Sequence, residues 1–428
     1  MKKKMKLSKI YYWILPALAV FSITSCKKEN SMGYTPGTGA PTISSVQTIN
    51  KFVQDTLIQT TTSYSSSGLV TTSVDTNFNY KLLKAFDSTT VTGNLGTMYM
   101  IKGTNLGSAT KLTINGVQVY YNRSWGNDNS IIFTLPTSIP YVQPQPNAIV
   151  VTTLHGSVTY KFTTLPPPPT IIQVTDYDFW ANSQITLSGK GFASVSDIKL
   201  QATGDEVSIL SKNDSTLVLQ MPATSTVTES PLLFTYTSGA NTGAQTASTA
   251  IFNDLDNAYT IYFKNSFQNS WGDNSWSGPS GSQPGNPHEY QGTNSAEASY
   301  PAGAWQIEGW ANYYPSIAYD PAYKYLSFWV KGGKATHTLV LVGDKMVGGY
   351  GQVQNANAYA AQLVVVPAGV WTFVKIPLTA PSTAYSQLST QLNYWANGSP
   401  ATQLGFFLQG MSGDVNETMY FDEVAFLK

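Results

Sequence analysis

Short stretches of alternating apolar and polar residues recur along this chain of 428 residues, separated by turns rich in glycine and asparagine. A period of two over about four to eight residues is typical of strands with one buried face. We find no long segment with apolar residues at helical spacing. The pattern therefore predicts an all-β protein.

Two parts of the chain match each other at a constant spacing. Three pairs of landmarks lie 86 residues apart, namely Gly103 and Gly189, Asp128 and Asp214, and Pro136 and Pro222. The matching openings PTISSV (41–46) and PTIIQV (169–174) are instead 128 apart, so the first copy carries an insertion of 42 residues between Gln47 and about Val91. A fixed offset indicates a repeated domain. We expect two β-sandwiches of immunoglobulin size, at 41–165 and 166–253.

The proline run 166–169 stands between the two copies and predicts a semi-rigid spacer. After the second copy the composition changes, because seven of the ten tryptophans lie between residues 254 and 428. Strand-like runs such as 325–330 and 371–376 recur there between long polar loops. We expect this last domain to be a larger β-sandwich of the jelly-roll type.

The N-terminal residues have the features of a secretory signal. Lysines between Lys2 and Lys9 precede an apolar run from Ile10 to Phe21, and the sequence Ile-Thr-Ser-Cys ends at Cys26. This pattern resembles a bacterial lipobox, with residues 1–25 removed and Cys26 lipidated. The alternative is an ordinary signal peptide with a chance cysteine. Residues 26–40 are then expected to form a flexible tether.

Charge narrows the classes of partner. Only 11% of the residues are Asp, Glu, Lys or Arg, and the formal net charge is zero. Binding of nucleic acid usually requires a basic surface, which this composition lacks. The partner is therefore expected to be neutral.

Aromatic residues are concentrated between Trp305 and Lys331, where three Trp and five Tyr occur in 27 residues. Trp305 and Trp329, at the two ends, are expected to face the core. Rings in irregular stretches have no local packing partners and are candidates for stacking on sugars. These candidate glycan-binding residues are Trp271, Trp276, Trp310, Tyr313, Tyr314 and Trp395. Neighbouring amides could bond to sugar hydroxyls or simply form turns; they are Asn274, Asn312, Asn393 and Asn397.

Sequence motifs give little support for catalysis. The acidic residues Glu289, Glu297, Glu308 and Asp320 show no patterned spacing of the kind a glycosidase pair would suggest. The histidines 155, 288 and 337 are isolated, and no GxSxG or HExxH motif occurs. We expect a protein that is not an enzyme and needs no cofactor, with a glycoside hydrolase as the less favoured alternative.

Several sequence motifs resemble those of known families. The pattern P-x-I-x-x-V, followed by GTNL (103–106) or GKGF (189–192) and then DNSIIFTLP or DSTLVLQMP, resembles the IPT/TIG immunoglobulin-like domains. LSFWVK (326–331), GVWTFV (369–374) and YFDEVAF (420–426) resemble strands of jelly-roll carbohydrate-binding modules. With the lipobox, the chain resembles the surface glycan-binding proteins B of Bacteroidota polysaccharide-utilisation systems.

That resemblance implies a lipid-anchored, surface-exposed protein of the outer membrane. It would capture a neutral plant or fungal glycan of the β-glucan, xyloglucan or mannan type and pass it to a glycan transporter complex. Related modules often hold a structural calcium ion, for which Asp254, Asp256 and Asp422 are the candidate ligands in this chain. An adhesin that binds another protein is the alternative function.

Overall fold

The computed structural model describes residues 35–64, 70–224, 226–239, 241–275, 283–285, 294–311, 316–351, 353–384 and 386–428. Within these ranges the regular structure consists of β-strands and short 3-10 helices, so the all-β prediction is confirmed. No helix in this part of the chain has the length and apolar character needed to span a bilayer. The chain divides into two compact units, Met1–Pro167 and Pro168–Lys428.

The first unit contains one β-sandwich, module 1. Its strands are β1 (Thr42–Tyr64), β2 (Val70–Thr90), β3 (Thr92–Asn94), β4 (Met98–Thr104), β5 (Ala109–Ile114), β6 (Val117–Gln118), β7 (Ser130–Thr134), β8 (Ala148–Thr153), β9 (Gly156–Lys161) and β10 (Thr163–Leu165), with a 3-10 helix at Arg123–Trp125. One sheet has the order β2-β1-β4-β7 and the other β6-β5-β8-β9, while β10 pairs in parallel with β3. Buried apolar side chains such as Ile101, Leu112 and Phe133 form its core.

The second unit begins with module 2. Its strands are β11 (Thr170–Val174), β12 (Asp178–Phe179), β13 (Gln184–Lys190), β14 (Val195–Leu200), β15 (Ser208–Lys212), β16 (Thr216–Gln220), β17 (Glu229–Ser238) and β18 (Asn241–Asp254), with a 3-10 helix at Phe192–Ser194. The sheets have the orders β11-β13-β16-β15 and β12-β18-β17-β14. A separate apolar core lies between them.

The two modules keep the spacing seen in the sequence. Strands β4, β5 and β7 start and end 86 residues before β13, β14 and β16. A Cβ atom at Gly103 would lie 1.9 Å from the carbonyl oxygen of Thr42, and one at Gly189 would lie 2.0 Å from that of Thr170. Both glycines are thus required by the same close approach of the first strand to its neighbour.

The insertion in module 1 is a long β-hairpin. Strands β1 and β2 pair in antiparallel register from Val46 opposite Thr90 to Tyr64 opposite Val70. The first residues of β1 also pair with β4, as β11 pairs with β13 in module 2. The 42 extra residues therefore extend one strand of the sandwich into a hairpin and leave the shared layout unchanged.

The rest of the second unit is the C-terminal sandwich. Its strands are β19 (Tyr259–Phe263), β20 (Ser266–Phe267), β21 (Gly272–Asp273), β22 (Gln283–Gly285), β23 (Ser295–Tyr300), β24 (Gln306–Ala311), β25 (Tyr325–Lys331), β26 (His337–Val342), β27 (Leu363–Val366), β28 (Trp371–Pro377), β29 (Gln403–Leu408) and β30 (Glu417–Leu427), with 3-10 helices at Leu255–Asn257, Asn355–Asn357 and Ala360–Gln362. One sheet has seven strands, in which β30 pairs with β19, β23 and β25, and β25 pairs with β28. The other has the order β21-β24-β29-β26-β27.

Module 2 and the C-terminal sandwich pack directly against each other, so the boundary expected at residue 254 separates two folds but not two independent units. The ring of Tyr177 stacks on Trp329 and Phe373, with centroids 6.4 and 5.1 Å away. Trp180 packs edge-to-face on Phe263 at 4.9 Å. This junction is aromatic and closely packed.

Candidate functional site

Three of the six predicted glycan-binding rings are buried. Trp310 and Trp395 have no exposed surface, and Trp271 is 4% exposed. The expectation that these rings lie exposed in loops is therefore wrong. A stacking platform must be reachable by its ligand, so these three cannot form one in this structure.

Trp310 shows why the expectation failed. It lies on β24, and its ring packs edge-to-face on Phe406 at 5.1 Å and on Phe421 at 5.7 Å between the two sheets. The residues before and after Trp310 are small or polar, so the stretch has no visible strand alternation. Pairing of β24 with β29 nevertheless directs the side chain inward.

The stretch around Trp395 is irregular but still part of the core. The Trp395 ring stacks on Tyr323 at an interplanar angle of 9°, and its Nε1 donates to the carbonyl of Ile317 at 3.2 Å. The amides of Asn393 and Asn397 donate to the backbone carbonyls of Ser382 and Met346. Their role is therefore structural. Trp271 likewise uses its Nε1 to bond the hydroxyl of Tyr259 at 3.1 Å.

The remaining candidates, Trp276, Tyr313 and Tyr314, lie outside the described residues, as does Asn312. They stay predictions. Cys26 and the rest of the proposed signal also lie outside these ranges.

The structure points to a surface that the sequence did not reveal, the outer face of the five-stranded sheet. Side chains on β24, β26 and β29 alternate between the core and this outer side, because successive strand residues point to opposite faces. Trp310 and Phe406 face the core, whereas Ile307 and Phe407 belong to a separate apolar cluster with Trp305 and Tyr350. The strand side chains of this cluster are themselves fully buried, and we call the surface formed by the partly exposed side chains over them the outer face.

Two half-buried rings define the outer face. Trp305 packs edge-to-face on Phe407 at 6.2 Å and donates through Nε1 to the carbonyl of Gly410 at 2.9 Å. Tyr350 donates through its hydroxyl to the carbonyl of Asn274 at 2.9 Å. Both rings are therefore fixed in orientation while part of each stays exposed, as a binding platform requires.

Two glycines make room for Tyr350. A Cβ at Gly309 would lie 1.5 Å from its hydroxyl oxygen, and one at Gly405 would lie 2.9 Å from its ring. The side chain thus lies flat on the strands β24 and β29. The signal in the sequence was the pair of strand glycines, since glycine inside a strand often marks the close approach of another group.

Trp305 lies on the opposite side of the sheet from Trp310 and packs, partly buried, against a separate cluster, so the expectation that it faces the main core is wrong. Trp329 is 7% exposed and faces module 2, where its Nε1 donates to Asp176. Trp305 therefore lies at the outer face, whereas Trp329 lies at the junction with module 2.

A concave region of about 420 Å³ lies between the strands β27 and β28. Its lining is mainly aliphatic and includes Val365, which is 60% exposed. Its one aromatic ring, Phe373, is already stacked on Tyr177. This groove therefore offers a sugar no free platform.

Asp320 and His337, two of the residues considered for catalysis, have structural partners. Asp320 accepts from the backbone N–H of Ala322 at 2.8 Å. His337 lies 3.0 Å from buried Glu417, which also accepts from the backbone N–H of Ala335. These contacts position loops.

The three carboxylates expected to bind calcium are not brought together. Asp254 accepts from the backbone N–H of Asp256 and caps a 3-10 helix. Asp256 accepts from Ala181 and lies 3.8 Å from Lys264. Asp422 accepts from the backbone N–H of Glu423. Among the described residues, the acidic group suited to a metal ion consists of Asp176, Asp178 and Glu423 instead.

Comparisons with known proteins agree with the first part of this architecture. Residues 82–163 match the family model of the IPT/TIG domain, so the prediction of such a domain in module 1 is confirmed. An IPT/TIG domain-containing protein of Bacteroides ovatus is 32% identical over 118 residues, which are 27% of this chain. The match spans 24% of that relative's length.

The chain also aligns with solved structures over much of its length. The surface glycan-binding protein PbSGBP-B from Prevotella bryantii aligns over 91% of this chain and 99% of its own, with 14% identity and a TM-score of 0.46. The SGBP-B from a complex xyloglucan utilization locus in Bacteroides uniformis aligns over 78% of this chain and 95% of its own, with 16% identity and a TM-score of 0.36.

Proposed function

We propose that this chain is a non-catalytic polysaccharide-binding lipoprotein of the cell surface, and that the outer face binds its glycan. The observation that carries the proposal is the pair of oriented, half-buried rings of Trp305 and Tyr350 on one face of a β-sandwich. Sugar rings have apolar faces that stack on aromatic side chains. Rings held in advance lose little entropy on binding.

The polar groups beside these rings suit sugar hydroxyls. Gln409 and Asn355 lie next to the cluster and are joined by a bond of 2.9 Å between the backbone N–H of Asn355 and the Gln409 side chain. Uncharged amides both donate and accept, as hydroxyls do. The low charge of the chain favours a neutral glycan of the β-glucan, xyloglucan or mannan type, since an acidic glycan would favour arginine and lysine.

We further propose that Cys26 is lipidated and anchors the chain in the outer membrane, where it serves a glycan transporter complex. The Cys26→Ser variant should then appear in the soluble fraction of the cell, whereas the wild type stays with membranes. Equal membrane retention of both would contradict the anchor and leave the glycan-binding proposal unaffected.

Affinity gel electrophoresis tests the binding face. The full mature chain should migrate more slowly in gels that contain a neutral β-glucan, xyloglucan or mannan. Trp305→Ala and Tyr350→Ala should each weaken binding about tenfold, because loss of one ring stack costs roughly 1.5 kcal/mol. Trp276→Ala tests in the same gels whether this predicted ring contributes to binding.

Trp125→Ala is the matched control, because Trp125 is 57% exposed and lies in module 1. It should migrate like the wild type, and circular dichroism should show that all variants are folded. If both outer-face variants are retarded as strongly as the wild type, the glycan does not bind at the outer face. If no glycan retards the wild type, the proposal is wrong and the adhesin alternative is favoured.

A further inference from the structure

Three carboxylates lie buried together where module 2 meets the C-terminal sandwich. Asp176 and Asp178 come from module 2 and Glu423 comes from β30, and each is at most 1% exposed. One oxygen of each lies within 4.8 Å of the others. Buried acids of like charge destabilise a protein unless protons or a cation compensate them.

Part of this cluster is held by hydrogen bonds. Asp176 Oδ1 accepts from Trp329 Nε1 at 3.1 Å and from the backbone N–H of Asp178 at 2.9 Å. Asp178 Oδ1 accepts from the amide of Asn253 at 2.6 Å. These bonds fix the two aspartates in orientation, as outer groups do for the ligands of a metal ion.

Other oxygens of the cluster lack a donor from the surrounding protein. Among the described residues, Oδ2 of Asp178 and both oxygens of Glu423 are buried without such a partner. An unsatisfied buried carboxylate is costly, and each such group in a native structure needs an explanation. Protons held between the acids would provide one, and a bound cation would provide another.

Glu423 reaches the cluster through an irregularity in β30. Trp329 pairs with Asp422 and Ser327 pairs with Ala425, so two residues of β30 lie opposite Phe328. Such a bulge redirects a side chain. The φ of Glu423 is 50°, a conformation that is unfavourable for a residue with a side chain.

Charge in the surroundings balances the cluster only in part, because the positive charge of Lys375 lowers the pKa of Asp178 against the larger effect of burial. The ammonium group of Lys375 lies nearby, but it is bonded to Glu229 at 2.6 Å and to the side-chain oxygen of Asn253 at 2.7 Å. Burial raises the pKa of all three carboxyl groups, that of Asp178 to about 7. The neighbouring carboxyls raise the pKa values of Asp176 and Glu423 further.

Module 1 shows that the fold itself does not require these acids. The residues 86 positions earlier are Thr90 and Thr92, and the Thr90 hydroxyl accepts from the backbone N–H of Thr92 just as Asp176 accepts from that of Asp178. Strand β3 pairs in parallel with β10 as β12 pairs with β18. Threonine therefore serves the same local structure without charge.

We propose that Asp176, Asp178 and Glu423 bind a hard divalent cation, Ca²⁺, which joins module 2 to the C-terminal sandwich. Carboxylate oxygens are the ligands that Ca²⁺ prefers, and its flexible coordination suits ligands drawn from two folds. The site differs from the one expected at Asp254, Asp256 and Asp422. It makes the junction, and not the glycan face, dependent on the ion.

The test uses the full mature chain after treatment with EDTA and removal of the chelator. Isothermal titration should show binding of one Ca²⁺ per chain. At about a hundredfold excess over Kd, Ca²⁺ should raise the melting temperature of the second unit by about 5–10 °C. Glu423→Gln and the double variant Asp176→Thr/Asp178→Thr should lose both responses. Glu206→Gln, which changes an exposed glutamate of module 2, should keep them.

The titration of the wild type tests the Ca²⁺ proposal even if a variant does not fold. If the wild type shows no heat of Ca²⁺ binding and no thermal shift, the proposal is overturned. A melting temperature that rises in acid and ignores Ca²⁺ would also overturn it, because protons would then compensate the cluster. An equal Ca²⁺ response in the wild type and in folded Glu423→Gln would assign the ion to another site.

Discussion

The two immunoglobulin-like modules share a strand layout but differ sharply at one matching segment. Residues 90–94 of module 1 are Thr-Val-Thr-Gly-Asn, whereas residues 176–180 of module 2 are Asp-Tyr-Asp-Phe-Trp. Val91 is 54% exposed, while its counterpart Tyr177 stacks on two rings of the C-terminal sandwich. The same position is thus a solvent-facing edge in one copy and a docking surface in the other.

This difference shows what the second copy adds to the shared fold. Both segments keep the turn in which residue 90 or 176 accepts from the backbone two residues later. Only module 2 adds rings and carboxylates to it. These rings and carboxylates contact the C-terminal sandwich, so module 2 helps to stabilise that domain.

The largest effect is expected from removing module 2. A chain of residues 254–428 loses the module 2 partners of Trp329, Phe373 and Phe263, and it leaves Glu423 uncovered at the exposed junction. We expect it to aggregate or to melt at least about 10 °C below a chain of residues 168–428, because a large aromatic interface is lost.

Removal of module 1 is the matched control for that truncation. The break between compact units falls between Pro167 and Pro168. Differential scanning calorimetry of residues 168–428 should therefore show the same transition as the second unit of the full chain. Equal melting of the 168–428 and 254–428 chains would refute the view that module 2 supports the sandwich.

The repeated modules could be predicted from the sequence because their landmarks are local. Gly103 and Gly189 are each fixed by contact with a neighbouring backbone, so the 86-residue offset is visible in the sequence. The insertion could be located by the same arithmetic. The sequence did not predict that the insertion forms a hairpin, since turn signals alone do not determine strand pairing.

The candidate site was harder to predict because burial depends on which sheets meet. Trp395 lies in a polar, irregular stretch, yet the chain folds inward there and satisfies its Nε1 with a backbone carbonyl. Trp305 and Tyr350 are far apart in sequence and come to pack against the same apolar cluster only in the folded sheet. A comparison of residues 176–180 with residues 90–94, which lie 86 positions earlier, would have indicated the junction. Module 2 has aromatic residues there, and module 1 has none.

The finest test of the comparison replaces one residue in each module at the matching position. Tyr177→Ala removes two ring contacts with the C-terminal sandwich and one within module 2, and it should lower the free energy of unfolding of the second unit by about 1–3 kcal/mol. Val91→Ala should change that of module 1 by less than about 0.5 kcal/mol, because the side chain is mostly in solvent. Thermal melts of the full chain, followed by calorimetry, measure both. Equal costs at the two positions would mean that module 2 gains nothing from docking, since its turn would then behave like the solvent-facing turn of module 1.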